Sequence, residues 1–401
     1  MGRTVEEDGV VRTPSGNGLT VRLPAPTGPN PVGSTTLHLV DRSRRDPWSP
    51  VLVREVMATV FYPAAAVAGH PVAPHMTRAA AASFRVSAPR THPQLPTAGV
   101  DWAATRTHAH AQAPAQAVRR PVLLHSPGGG DPRTLGTAVA EELAGRGWVV
   151  VSVDHPGDAG EVAFPGGGAG RPEELRETVF RGDPRLDPEL FRTAIDTRVA
   201  DLRFVLGEVE RLAAGENPDV EGRPLPEGLH RALDVRRAGV YGHSAGGTAA
   251  AQALHEDRRF HTAVNLEGFL DHPPSVPGGT SELFPVARYG VDRPLLLMGT
   301  DGFPGRPELT RSWSAALAHP GSPVRLRQLD GAAHWVFSDY AAIAPQLRAA
   351  GLMTDAERVA LTGTIGAGAA VRAVREAVHG FFARHLPWEG CGTGRRESLR
   401  R

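Results

Sequence analysis

The chain has 401 residues, 41% of them hydrophobic, and its 44 basic and 43 acidic side chains leave a formal net charge of +1. That size and apolar content supply one large core or two modest ones and exclude a disordered chain. Balanced charge without a basic block gives no purchase on a phosphate backbone, so no nucleic-acid partner is expected, and the single Cys391 excludes a disulfide framework or a thiolate metal site.

Every basic residue counted in that charge is arginine, a compositional bias shared with the high alanine, glycine and proline content. The opening "MGRTVEEDGVVRTPSGNG" has no apolar h-region, and no apolar run approaches the length of a membrane span. The expectation is a chain that is cytoplasmic as written, exported only from a longer native N-terminus, and without stable membrane insertion.

Residues 1–20 read as disordered, and residues 21–388 as one domain. "TTLHLVDRSRR" and "VREVMATVFYP" read as two strands of a hairpin or meander. Residues 64–119, rich in Ala, Pro and His without a sustained period, read as a surface excursion, part helix and part loop, either a lid or a passive insertion. Within it, His108 and His110 lack a nearby third ligand, so no metal site is expected there.

From Pro121 the pattern becomes regular. "PVLLHSPGGG" is a short apolar strand ending in glycines, "TLGTAVAEELAGRG" an amphipathic helix, and "WVVVSVDHPGDAG" a strand buried on both faces. Val199, Leu202, Val205, Leu206 and Val209 recur at helical spacing and predict a crossover helix over 195–212. "FPGGGAG" reads as a flexible linker. "VYGHSAGG" turns from strand to helix, "TAVNLEG", "RPLLLMGTDG" and "PVRLRQLDGAAH" supply three further strands, and "AVREAVHGFFARHL" lies in a helical C-terminal part before a flexible tail at 389–401. Alternating strands and helices predict an α/β class with a mostly parallel sheet covered on both faces, whose functional groups gather at the carboxyl ends of the strands.

Those ends carry a constellation. Gly242-His243-Ser244-Ala245-Gly246 is a G-x-S-x-G pattern, in which the serine sits on a sharp turn with its hydroxyl exposed. Ser244 is a weak nucleophile unless an imidazole removes its proton, and the imidazole needs a carboxylate to fix its tautomer. His334 after the last strand is the base, and Glu267 and Asp301 after the two intervening strands both stand as candidate acids. "HSPGGGD" supplies glycine N–H groups able to approach a substrate oxygen, so the oxyanion donors are expected at Gly129 and at Ala245, next to the nucleophile. The phosphate-loop reading of the same glycines fails for want of the G-K-[ST] ending. Trp335, Phe337, Asp154 and His155 fall near the same edge and read as core or structural residues before pocket walls.

The order serine, acid, histidine matches the α/β-hydrolase arrangement. The segments "PTGPNPVGSTTL", "HSPGGGDPRTL", "TRVADLRFVL", "GHSAGG", "EDRRFHTAVNLEG" and "GAAHWVFSDY" together resemble the platelet-activating-factor acetylhydrolase branch, especially its actinobacterial esterase and lipase relatives. The resemblance implies a serine ester hydrolase without cofactor, acting on short or oxidised acyl chains of phospholipid-like or small esters. It also favours, for the acid, the position after the strand that directly follows the elbow helix, hence Glu267 over Asp301, although the family carries aspartate there. An acyltransferase using the same residues, or a binding protein on a hydrolase scaffold, are the alternatives.

Overall fold

Unbroken apolar runs belong to strands covered on both faces, and in the computed structural model, which describes residues 18–49, 52–166, 174–276 and 279–388, they occupy the centre of a ten-stranded sheet. An antiparallel pair, β1 (Val32–Arg45) and β2 (Val53–Pro63), comes first, then β3 (Val72–Pro74), α1 (Arg78–Thr91) and β4 (Arg106–Ala111). The alternating part follows with β5 (Arg120–Ser126), α2 (Thr137–Gly145), β6 (Val149–Val153), a hairpin of β7 (Glu161–Phe164) and β8 (Glu174–Glu177), and the long α3 (Pro188–Ala213). After α4 (Leu229–Ala232) come β9 (Leu233–His243), α5 (Ala245–Glu256), β10 (Phe260–Leu266), and the small pair β11 (Asp271–His272) and β12 (Glu282–Leu283). The chain closes with α6 (Pro285–Arg288), β13 (Leu295–Thr300), α7 (Arg306–Leu317), β14 (Val324–Leu329), α8 (Tyr340–Ala349), α9 (Asp355–Thr362) and α10 (Ala367–His385).

In space the order is β14-β13-β10-β9-β5-β6-β2-β1-β4-β3. Neighbours from β14 through to β6 are parallel, and β2 joins β6 antiparallel. This is the α/β-hydrolase fold. One face is covered by Ile195, Val199, Leu202 and Leu206 of α3 with the alanines of α5, the other by Leu143 of α2 with Val378 and Phe382 of α10. Helix α3 begins seven residues before the periodic stretch. Asp187 caps it by accepting from the N–H groups of Glu189 and Leu190, and Pro188 occupies the first turn, where no N–H is needed.

Residues 64–119 contribute β3 and β4 at one edge of the sheet, with α1 between them in sequence. Phe84 and Ala88 of α1, with Leu95 and Trp102, pack against Tyr340, Ile343 and Leu347 of α8 in a separate core. Backbone carbonyls occupy the two histidines of this stretch: His108 Nε2 lies 3.0 Å from the oxygen of Leu23 and His110 Nδ1 2.7 Å from that of His70. Residues 1–17, the glycines of "FPGGGAG" from 167 on, and the tail with Cys391 lie outside the described residues. Among the described residues no helix is long and apolar enough to cross a membrane.

Helix α1 also meets a buried acid. Ser87 Oγ donates to Glu161 Oε2 at 3.0 Å, while Glu161 Oε1 has no partner among the described residues, on the wall of a cavity of about 260 Å³. Burial raises the Glu161 carboxyl well above the usual range; the Ser87 hydrogen bond opposes this, nearby Asp154 and Asp131 add to it, and Arg133 acts against it. A folded-state pKa above the unfolded one contributes stability that is complete below the unfolded value and is lost as pH rises through the folded value. Glu161→Gln copies the neutral acid, so it is expected to leave Tm unchanged near pH 4 and to raise it by about 1–4 °C at pH 8, in thermal unfolding followed at both pH values. An equal shift at both would remove the titration from the explanation.

Candidate active site

The turn after β9 is shaped by what its glycines avoid. A Cβ on Gly242 would lie 2.3 Å from the oxygen of Gly246, and one on Gly246 would lie 2.1 Å from the oxygen of Ser126, so the elbow passes against the end of β5 with no room for side chains. Between them Ser244 adopts φ 53° and ψ −122°, a left-handed conformation rare outside glycine. Its N–H donates to the oxygen of Leu266 at 2.8 Å, and the N–H of Thr248 donates to its oxygen at 3.0 Å, which ties the turn to β10 and to the first turn of α5. Strain held by surrounding hydrogen bonds is common at working sites.

Glu267 follows β10 at φ 61° and is wholly buried. Its Oε2 lies 2.9 Å from His334 Nδ1, and Oε1 accepts from both the N–H and the hydroxyl of Thr300, the last residue of β13. His334 opens a short 3-10 turn, His334–Phe337, after β14. Its ring stacks on Phe303 with centroids 4.3 Å apart and planes 17° apart, and meets His243 at 4.5 Å. Burial, reinforced by the neighbouring His334, keeps the His243 imidazole well below the usual range.

Asp301, one residue beyond Thr300, is exposed and points elsewhere. Its carboxylate accepts from the N–H groups of Gly331 and Ala332 at 3.0 and 3.1 Å, and the Gly331 hydrogen bond leads in lowering its pKa. It braces the loop that carries His334, whereas Glu267 touches the ring itself. Trp335 stands edge-on to His334 and His243, with centroids 5.1 and 5.0 Å away, and Phe337 is buried. Asp154 and His155 are buried below the sheet edge.

The glycine loop after β5 lies beside the elbow: a Cβ built on Gly129 would sit 3.6 Å from that of Ala245, an ordinary contact. Among the described residues neither the Gly129 nor the Ala245 N–H has a protein acceptor. Arg198 of α3 reaches this loop from beneath, donating to the oxygens of Pro127 and Gly128 at 2.7 and 3.0 Å and to the Asp158 carboxylate at 2.6 Å. The N–H of Gly130 donates to the same carboxylate at 3.1 Å.

Thr300, Phe303, Asp158 and Arg198 have no signal in the sequence reading beyond their places near strand ends or on a helix face. Arg198 belongs to the "TRVADLRFVL" segment, which periodicity reads for packing alone.

The family model described as "Platelet-activating factor acetylhydrolase, isoform II" matches residues 100–388. The chain is 25% identical over 266 residues to the "Probable 1-alkyl-2-acetylglycerophosphocholine esterase" of Arthroderma benhamiae, covering 65% of this chain and 59% of that protein. It is 21% identical over 244 residues to the platelet-activating factor acetylhydrolase of Gallus gallus, covering 57% of this chain and 54% of that one. The chain thus spans somewhat over half the length of these relatives. Among solved structures, the ferulic acid esterase from Streptomyces cinnamoneus superimposes with a TM-score of 0.70 at 32% identity, over 92% of this chain and 94% of that one.

Proposed function

The chain belongs to the platelet-activating factor acetylhydrolase isoform II family, and from that premise we propose that it hydrolyses carboxylic esters through an acyl intermediate on Ser244. The observation that carries this reading is the 2.9 Å contact of His334 Nδ1 with a wholly buried carboxylate, Glu267, one strand away from a serine held in left-handed backbone.

An ionised Glu267 is an acceptor only, so the proton of a neutral His334 resides on Nδ1 and Nε2 keeps its lone pair. In the first half-reaction Nε2 takes the proton of the Ser244 hydroxyl as Oγ bonds to the carbonyl carbon, and the carbonyl π pair moves to oxygen. The N–H groups of Gly129 and Ala245 receive that oxyanion, each worth about 3 kcal/mol to the transition state. Collapse expels the alcohol, which takes its proton from His334. Water then repeats the sequence: His334 removes its proton, the hydroxyl attacks the acyl carbon, and Ser244 leaves with the proton returned. The steps draw on side chains and backbone alone.

The substrate is a small or lipid-derived ester. The names of the relatives support an acetyl or other modest acyl group, and Phe303, parallel to His334, with Phe269 5.7 Å beyond it, provides apolar surface for the group being transferred. A fluorophosphonate probe is expected to leave one adduct, mapped by peptide mass spectrometry to the segment containing Ser244, and to abolish turnover of p-nitrophenyl esters from acetyl to decanoyl. The chain length with the highest kcat/KM then sizes the acyl site. An intact protein that neither takes up the probe nor turns over any ester in the series would sink the reading.

A further inference from the structure

Beneath the glycine loop lies a second Ser-His-Asp array, sealed from solvent. Ser126 Oγ is 2.9 Å from His155 Nε2, and His155 Nδ1 is 2.9 Å from Asp201 Oδ2, with all three residues fully buried. Arg54, equally buried, pairs with Asp201 at 2.6 Å, and Arg44 reaches its other oxygen at 2.8 Å. Burial opposes ionisation of Asp201, yet the Arg54 charge and the His155 hydrogen bond hold its carboxyl far below the usual range. Burial and the Arg198 charge keep His155 neutral, against the pull of Asp201.

The direction of each hydrogen bond follows. Asp201 only accepts, so His155 carries its proton on Nδ1 and its Nε2 accepts from the Ser126 hydroxyl. Ser126 Oγ in turn accepts from Arg198 at 3.1 Å. With its hydroxyl committed and no path to solvent, Ser126 is no nucleophile. The array fixes the end of β5 and, with Asp158, the guanidinium of Arg198.

That guanidinium holds one end of a peptide plane. The carbonyl of Gly128 and the N–H of Gly129 belong to one peptide group, and in a trans peptide the two point in opposite directions. Arg198 holds the Gly128 oxygen toward α3, so the Gly129 N–H is directed away from α3, and Gly129 itself lies beside Ala245 of the elbow. Three successive glycines place little steric restraint on this plane, and among the described residues the Gly128 oxygen is held by the Arg198 guanidinium at 3.0 Å together with the Asp131 N–H at 3.2 Å.

We infer that Arg198, seated by Asp158 and by the Ser126-His155-Asp201 array, is the positioning residue that aims the Gly129 N–H at the developing oxyanion. The inference rests on the serine-hydrolase reading above. It adds a role for a residue that touches no reacting atom.

The test compares Arg198→Lys, Arg198→Met and Asp158→Asn with wild type and Ser244→Ala, using a p-nitrophenyl ester and a trifluoromethyl ketone, whose serine adduct carries an oxyanion. Losing one oxyanion donor outright costs about 10²–10³ in kcat; a donor left free to turn is expected to cost at least about tenfold. The expected result is a fall in kcat with KM within about twofold and a rise in the ketone Ki by the same factor as kcat/KM falls. Lysine should be less damaging than methionine because an ammonium still donates to a loop carbonyl.

A merely structural role would lower the amount of active enzyme without moving Ki in step. Should the Arg198 variants not fold, Asp158→Asn decides, since its amide oxygen can still accept from the Gly130 N–H and Arg198 Nη2 while its NH₂ faces Arg198 Nε as a second donor, so the charge and one of the two acceptors holding the guanidinium are lost. Folded variants with kcat and Ki unchanged, or with losses in kcat/KM not mirrored in Ki, overturn the assignment while leaving the hydrolase reading standing. A wild type that neither turns over the ester nor binds the ketone ends both.

Discussion

Replacing Ser244 by alanine is expected to lower kcat for an activated acetyl ester by about 10⁶-fold, with KM little changed. The size follows from what remains. Without Oγ there is no acyl-enzyme, so His334 has only water to activate, and the Gly129 and Ala245 donors stabilise whatever attack occurs. Triad members act as a unit, so adding His334→Ala to Ser244→Ala is expected to cost almost nothing further. Alanine also keeps the left-handed backbone under strain without using it, so Tm should stay within a few degrees of wild type. Steady-state kinetics on protein checked by thermal unfolding reads both; retention of more than about a hundredth of the wild-type kcat would move the nucleophile elsewhere.

The second large effect separates the two candidate acids. Glu267→Gln is expected to lower kcat by about 10⁴-fold. The Thr300 N–H demands an acceptor, so the new amide must turn its oxygen toward Thr300 and its NH₂ toward His334 Nδ1. Two donors then face each other unless the ring shifts its proton to Nε2, the nitrogen needed as base. Asp301→Asn keeps an oxygen for Gly331 or Ala332 and leaves the ring untouched, so kcat should stay within about threefold. Kinetics of the two variants side by side give the answer, and the reverse ranking would transfer the triad role to Asp301.

This contrast marks how far the sequence is legible. Chain order and apolar runs place Ser244, Glu267, Asp301 and His334 at successive strand ends, because the period of a buried parallel sheet is written locally. Which acid meets the ring is written in distances between strands. Glu267 reads as an ordinary strand-end charge until β13 brings Thr300 against it, and Asp301 reads as a triad position until the loop N–H groups occupy it. Arg198 is harder still. On α3 it shares spacing with residues whose task is packing, and its partners lie 40 or more positions away. Residues 64–119 escape for a different reason: half of α1 is alanine and serine, with Pro89 in its last turn, so its buried face has little apolar contrast.

His92 caps the C-terminal end of α1. Its Nε2 lies 2.9 Å from the Asp131 carboxylate, directly after the three loop glycines, and its ring stands edge-on to Trp335 at 4.2 Å, directly after His334. One imidazole from outside the alternating part of the chain thus spans the glycine loop proposed to receive the oxyanion and the turn that carries His334. For protein engineering, residues 64–119 are therefore no accessory to be trimmed or exchanged between relatives as a cassette. Diversity introduced there belongs on the exposed outer face of α1, at positions such as Val86, where it leaves this keystone in place.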